Sequence, residues 1–359
     1  MMVNGPGSWD HVFTPLKHTA WHGCTLADLV FPFFIWIIGV TMIFSFVSRI
    51  KRGESRGQLL KKVIIRSVIL FAIGIFLSGF PFGLIGDHNF SWATIRIPGV
   101  LQRIAICYLI ASLIVLYSSL LWQMIWLVLL LAGYCLLIKI VPVPGFGAGI
   151  LEPLGNLAWY LDANLLSGHT WLRAPAPGFD PEGILGTVPA IATMLFGVLT
   201  GHLLHLKKSA ITKTNWMLVF GSVLIVLGLL LSYWLPINKK LWTSSYAVFV
   251  SGVALTFFAC CYWLVDVKGY QKWFKPWQIF GMNALAVYII SVLIILSSYR
   301  IKITALSKTP ILLKTYYYQI LFPVDKYPML SSFLHAIFFT LIMYLIAYIL
   351  YRKRWIITV

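Results

Sequence analysis

Apolar and polar residues follow one another along the chain in long blocks, with nine apolar runs separated by polar connections. Each run has about 20 residues, which is the length that a helix needs to cross the hydrocarbon core of a bilayer. The pattern therefore predicts an all-α fold, a polytopic membrane helix bundle with about nine complete transmembrane helices. The predicted helices cover residues 29–48, 63–80, 98–118, 121–141, 184–205, 215–235, 244–265, 277–298 and 330–351.

Two segments fall outside this pattern. The run 311–323 (ILLKTYYYQILFP) is too short and too polar to span, and we expect it to be interfacial or re-entrant. The chain opens on Met1-Met2-Val3 without the basic and apolar regions of a signal peptide. These three residues resemble the end of a preceding helix, so we expect that an upstream first helix is missing.

Lysine and arginine are unevenly distributed between the connections. Sixteen of the 28 fall in the connections on one side and in the C-terminus, the largest group within residues 49–66. The positive-inside rule makes this side cytoplasmic. Residues 1–28 then form an outer-side loop, and residues 29–359 form a single transmembrane domain with outer loops 142–183 and 299–329.

The composition excludes a water-soluble protein. Charged residues make up 11% of the chain and hydrophobic residues 60%, with a mean hydropathy of +0.88, whereas soluble domains have about 25% charged residues. The partner that this composition implies is the lipid bilayer. The net charge of +18 is spread over the connections, so we expect no nucleic-acid partner. The five cysteines include no CxxC pair.

The loop before the first predicted helix carries candidate catalytic chemistry. It contains His18 and His22, and imidazole accepts and donates protons near neutral pH. The two histidines are four residues apart but have no third ligand at suitable spacing, so we predict no metal site. Asp28 has the capping-box spacing to Thr25. It either caps the helix or orients an imidazole, and both roles are compatible.

Arg103 is the most unusual charge within a predicted span. A membrane-embedded arginine is costly unless it is paired or faces water, which marks it as a functional candidate. Asp28 and Asp87 are its candidate partners. Asp180 and Glu182 precede another predicted helix, and they either cap it or bind an acceptor.

Further polar residues at span ends are candidate substrate contacts. Ser244 and Ser245 begin one predicted helix, and Asn283 lies inside another. Such groups either hydrogen-bond a neighbouring helix or line a polar cavity. Trp21 and His22 in the N-terminal loop complete the predicted substrate-binding set.

Five blocks in order resemble one family over nearly the whole chain. They are HTAWHGCTLADLVFPFFIWIIGVTMIFSF, IRIPGVLQRIAICY, FDPEGILGTVPAIATMLFGVLTG, NKKLWTSSYAVFVSG and GMNALAVYI. The chain thus resembles the catalytic domain of heparan-α-glucosaminide N-acetyltransferase and its bacterial relatives. It departs from the animal enzyme because the first membrane helix and the large luminal N-terminal domain are not in the sequence.

This resemblance implies an acetyltransferase of a bacterial inner membrane. Acetyl-CoA would donate its acetyl group from the cytoplasmic side, and the acceptor would be the amine of a glucosamine-type sugar or glycan on the outer side. The family's active-site histidine falls on His18 and its nearby asparagine on Asn4. We expect the histidine loop to face outward, the C-terminus to be cytoplasmic, and the protein to be a possible homodimer.

Acetyl transfer requires a deprotonated amine, a polarised carbonyl and alignment of both. We expect His18 to take the amine proton, although a covalent acetyl-imidazole is the competing route. Asn4 would donate to the oxyanion, and Asp28 would fix the imidazole tautomer. Arg49 and Arg66 would hold the phosphates of CoA. Two other classes remain open, an amino-sugar or N-acetyl-sugar transporter and a non-catalytic scaffold.

Overall fold

The structure is a computed structural model that describes residues 2–85, 90–304 and 310–357. These residues form a helical bundle with one short antiparallel hairpin, β1 (Lys302–Thr304) and β2 (Pro310–Leu312), in which Ile303 lies opposite Ile311. The helices in chain order are α1 (Leu26–Lys51), α2 (Arg56–Gly79), α3 (Val100–Tyr117), α4 (Leu120–Ile140), α5 (Leu157–Leu165), α6 (Ile184–His205), α7 (Ala210–Ser232), α8 (Ser244–Tyr262), α9 (Lys275–Met282), α10 (Ala284–Ser298), α11 (Leu313–Leu321) and α12 (Pro328–Arg352).

The predicted membrane bundle is confirmed, and helices cover all nine predicted runs. Seven helices of the described chain are long and apolar enough to span, namely α1, α3, α4, α6, α7, α8 and α12. The run 277–298 is broken into α9 and α10, which meet at a 66° bend and count as an eighth span only if taken together. The predicted run 63–80 lies in α2, whose first turns carry four cations. Its uncharged part, 67–79, is short for a complete span.

Residues 311–323, predicted to be too short to span, contain β2 and α11. The nine residues of α11 reach only about 14 Å along the helix axis. This segment therefore does not add a full-length helix to the bundle, and it contacts Tyr299 after α10 and His335 in α12 through Lys314 and Tyr318.

Helices α1 and α6 cross at backbone contact in the centre of the bundle. A Cβ atom on Gly39 would lie 2.1 Å from the carbonyl oxygen of Met194, and one on Gly197 would lie 1.9 Å from that of Trp36. Small residues allow this approach, as they do in other membrane helix pairs. The crossing fixes the position of α1, whose first turn carries the candidate site.

The N-terminal loop folds onto the connection between α7 and α8. Gly23 donates its N–H to the carbonyl oxygen of Ile237 at 2.8 Å and forms a β-bridge with Asn238. We call the end of the bundle formed by residues 14–25 and 236–243 the loop face. The opposite end, formed by residues 49–66, is the basic face.

Candidate functional site

Asp28 is the centre of the site on the loop face. Its side chain is 1% exposed and lies in the first turn of α1, where Thr25 and Asp28 form a capping box. The carboxylate accepts hydrogen bonds from the backbone N–H and hydroxyl of both Thr19 and Thr25, at 3.0–3.2 Å. The capping role and the imidazole-orienting role predicted for Asp28 therefore occur together, because the same carboxylate also binds His18.

His18 pairs with Asp28 through Nδ1, which lies 2.7 Å from Oδ1. An ionised carboxylate only accepts hydrogen bonds, so Nδ1 carries the hydrogen and donates it. The imidazole side chain is 38% exposed, and in this tautomer Nε2 carries the lone pair. A histidine held in this tautomer by a buried carboxylate is suited to accept a proton from an incoming group.

Lys239 is a third member of the site that sequence reasoning missed. Its Nζ lies 3.2 Å from Nδ1 of His18 and 3.6 Å from Oδ1 of Asp28, and its side chain is 17% exposed. Burial lowers the pKa of Lys239, and the charges of Glu182 and Asp28 partly offset this effect. Because Nδ1 donates to Asp28, the ammonium group acts mainly on the carboxylate. The two lysines in the block NKKLW were the signal that could have found it.

Trp21 and His22, predicted as substrate contacts, anchor the loop in this structure. Trp21 donates its indole N–H to the carbonyl oxygen of Leu151 at 2.8 Å. His22 Nδ1 lies 3.3 Å from the amide nitrogen of Asn238. Lys240 lies over the Trp21 ring at 5.9 Å and donates to the carbonyl oxygen of Ala20 at 2.5 Å. These contacts hold residues 20–22, which follow His18, against the neighbouring connections.

Asp180 and Glu182 form an ion-pair cluster with Arg96. The guanidinium binds Asp180 through Nε and Nη2 at 2.8 and 2.6 Å, and Nη2 also binds Glu182 at 2.5 Å. Burial raises the pKa of Glu182, but the charges of Arg96, Arg103 and Lys239 outweigh it, so the pKa lies below its ordinary value. Both carboxylates thus have a protein partner. Nothing in the sequence pairs Arg96 with residues more than 80 positions away.

Arg103 is 1% exposed and has neither of its predicted partners in the described chain. Its Nη2 donates to the carbonyl oxygen of Gly183 at 3.0 Å, and its guanidinium lies 5.1 Å from the Trp242 ring centre. The Asp28 carboxylate instead accepts hydrogen bonds from residues of the loop face. Asp87 lies outside the described residues. Within the part of the chain that is described, Nε and Nη1 of Arg103 have no hydrogen-bond partner.

Asn4 is not hydrogen-bonded to His18, although both residues are described. It lines a cavity with Lys314, Tyr317 and His335, between the N-terminal segment and the ends of α10, α11 and α12. Residues 7–9 bind Ser332 of α12 and Tyr299 at the end of α10 rather than the start of α1. The oxyanion-donor role expected of Asn4 stays a prediction.

Three further predicted contacts have their polar groups satisfied within the protein. The hydroxyl of Ser244 donates to the carbonyl oxygen of Leu131, and that of Ser245 to Leu235. Asn283 lies at the bend between α9 and α10 and binds the C-terminal segment at 2.9–3.1 Å. These residues pack helices together, and Asn283 lies with the C-terminal segment rather than with His18.

Arg49 and Arg66 lie on the basic face, far from His18. The 21 residues of α1 between Asp28 and Arg49 correspond to about 30 Å of helix. Arg49 lies 3.7 Å from Glu54, and Arg66 lies over the ring of Tyr108 at 5.1 Å. The two ends of the predicted site are therefore separated by the full thickness of the bundle.

The described residues contain no group of three His, Cys, Asp or Glu side chains suited to a metal ion. No protein-family model matches the chain. The chain is 32% identical over 326 residues to heparan-alpha-glucosaminide N-acetyltransferase of Homo sapiens, and 31% identical over 327 residues to that of Mus musculus. Each match covers 76% of this chain and 48% of the relative, so the chain spans about half the length of these curated relatives.

Proposed function

Because the chain is a relative of heparan-alpha-glucosaminide N-acetyltransferase, we propose that it is a membrane acetyltransferase. It moves the acetyl group of acetyl-CoA to the amine of a glucosamine-type sugar. The observation that carries this proposal is the pairing of His18 with the buried Asp28 at 2.7 Å. That pairing supplies a held imidazole with an accessible Nε2, which is what amine acylation requires of a general base.

The proposed reaction uses His18 Nε2 to take the proton of the acceptor amine. As the amine nitrogen bonds to the thioester carbonyl carbon, the carbon–sulfur bond breaks, and the proton on Nε2 passes to the departing thiolate. Asp28 stabilises the imidazolium that forms in between. Lys239 keeps Asp28 ionised and places a positive charge beside the developing oxyanion. An acetyl-imidazole intermediate remains the alternative route.

The donor enters from the basic face in this proposal. Arg49 and Arg66 would bind the CoA phosphates there, since guanidinium groups suit phosphate oxygens. Arg103 lies buried within the bundle, and its Nε and Nη1, which have no hydrogen-bond partner among the described residues, are available to an oxygen of the donor. We place the protein in a bacterial inner membrane, with the basic face and C-terminus cytoplasmic and the loop face outward.

A second candidate function is transport of an amino sugar or its N-acetyl form. The observation that favours it is the broken helix pair α9–α10, because interrupted helices often form transporter binding sites. Proteoliposomes given labelled acetyl-CoA and glucosamine distinguish the two functions. N-acetylglucosamine as the labelled product supports the acetyltransferase. Uptake of labelled glucosamine without acetylation supports the transporter and contradicts the proposal.

A further inference from the structure

A cavity with both polar and apolar lining residues lies on the same side of the bundle as the loop face but away from His18. It is enclosed by the N-terminal segment, the end of α10, α11 and the start of α12. Asn4, Tyr299, Lys314, Tyr317 and His335 are among the residues that line it. The roles described above for the His18 site use none of these residues except Asn4.

The N-terminal segment covers this cavity through specific contacts. The backbone N–H of Ser8 donates to the hydroxyl of Ser332 at 3.1 Å, and that hydroxyl donates back to the carbonyl oxygen of Ser8 at 3.0 Å. Trp9 donates its indole N–H to the hydroxyl of Tyr299 at 3.0 Å. A Cβ atom on Gly7 would lie 2.3 Å from the Tyr318 ring, so any larger residue would have to displace that ring. The cover is therefore a built part of the fold.

Lys314 is the charged group of the cavity. It is 8% exposed, its Nζ donates to the hydroxyl of Tyr299, and the ammonium lies 4.4 Å from the centre of that ring. Among the residues that the structure describes, no carboxylate forms an ion pair with it. Lys239, by contrast, has Asp28. A buried ammonium ion is costly without a counter-ion, so the cavity has an unbalanced positive charge.

His335 does not supply a counter-ion, and its bonds indicate that it orients Tyr317. Its Nδ1 lies 3.2 Å from the carbonyl oxygen of Gly5, which can only accept, so Nδ1 carries the hydrogen. Nε2 then accepts from the hydroxyl of Tyr317, also at 3.2 Å. The two rings are stacked with centroids 5.4 Å apart. A neutral imidazole thus fixes a phenol next to the lysine.

We propose that this cavity is an oxyanion site in which Lys314 binds a carboxylate or phosphate group. The Tyr299 hydroxyl accepts from Lys314 and from Trp9, and its own hydrogen can be donated to the anion. The ammonium supplies the balancing charge, and the short N⁺–H···O⁻ bonds that it forms are the strong class of hydrogen bond. The anion is a free solute or the headgroup of an anionic lipid, since the cavity lies at the end of two membrane helices. This proposal does not depend on the acetyltransferase function.

Thermal unfolding of the full chain in nanodiscs tests the site. One arm uses phosphatidylcholine with increasing inorganic phosphate, against sodium chloride of equal ionic strength. The other arm replaces part of the phosphatidylcholine with phosphatidylglycerol and contains no phosphate. Lys314→Met is the test variant, and Lys326→Met is the matched control, because Lys326 is an exposed lysine over a tyrosine ring on the next connection.

We expect a saturable rise in the unfolding temperature of about 3 °C or more in one arm. The rise should be lost in Lys314→Met and retained in Lys326→Met. A rise with phosphate identifies a free anion, and a rise with phosphatidylglycerol identifies a lipid headgroup. The proposal is overturned if neither arm raises the unfolding temperature above its control, or if Lys314→Met responds as the wild type does.

Discussion

Replacing Arg96 by alanine should destabilise the protein strongly. The substitution removes three charge-assisted hydrogen bonds of 2.5–2.8 Å and leaves Asp180 and Glu182 without their cation. The side chain of Asp180 is fully buried and that of Glu182 is 14% exposed. Removing one partner of a buried ion pair typically costs about 3–5 kcal/mol, because the remaining charge stays desolvated. Arg96 itself is 26% exposed, so we expect about 3 kcal/mol.

The assay is thermal unfolding of the purified protein in nanodiscs at neutral pH. For a chain of 359 residues, with an unfolding entropy of about 2.1 cal/mol/K per residue, a loss of about 3 kcal/mol corresponds to a fall of about 4 °C in the unfolding midpoint. Arg173→Ala is the matched control, since Arg173 is an exposed arginine in the same connection as Asp180. Removing both carboxylate charges as well, with Asp180→Asn and Glu182→Gln, should recover part of the loss. If Arg96→Ala unfolds at the same temperature as Arg173→Ala, the cluster does not stabilise the fold as reasoned.

Three other substitutions test separate parts of the structure. Gly197→Ala should destabilise the protein by about 1–3 kcal/mol in thermal unfolding, because the added methyl group disturbs the α1–α6 crossing. Gly133→Ala, with open space around its Cβ, should not. Equal effects of the two substitutions would contradict backbone contact between α1 and α6. Burial raises the pKa of Asp162 to about 7, above the unfolded value of about 3.9. Its stabilising contribution should therefore be lost as the pH rises from about 4 to about 7. The unfolding temperature of the wild type should thus fall over this pH range, and Asp162→Asn should reduce the fall. The same pH dependence in Asp162→Asn as in the wild type would contradict the raised pKa of Asp162. Lys239→Met should lower the kcat of acetyl transfer about tenfold or more, whereas Lys17→Met should change it little; unchanged turnover in Lys239→Met would remove Lys239 from the site.

Local sequence patterns predicted the helices well because each membrane span has to be apolar along its whole length. The nine predicted runs are all helical. The bend at Asn283 was not predicted, since no proline or long polar stretch interrupts that run. At the bend, Asn283 hydrogen-bonds residues 355 and 357, which are more than 70 positions away.

The site was predictable only as far as neighbouring residues define it. His18 and Asp28 are ten residues apart, and the capping spacing already placed Asp28 at the start of α1. Lys239 reaches His18 across 221 positions, and Arg96 reaches Asp180 across 84. Such contacts depend on how the connections fold over the bundle. Hydropathy and local spacing carry no information on that.

Labelled acetyl transfer by wild-type protein and His18→Ala in proteoliposomes tests the proposed chemistry most directly. His11→Ala is the control, because His11 is an exposed imidazole of the same loop. We predict that His18→Ala stays folded at the assay temperature but loses at least about a hundredfold in kcat for N-acetylglucosamine formation, while His11→Ala stays within about twofold of wild type. Normal turnover by folded His18→Ala would show that this imidazole neither takes the amine proton nor carries the acetyl group.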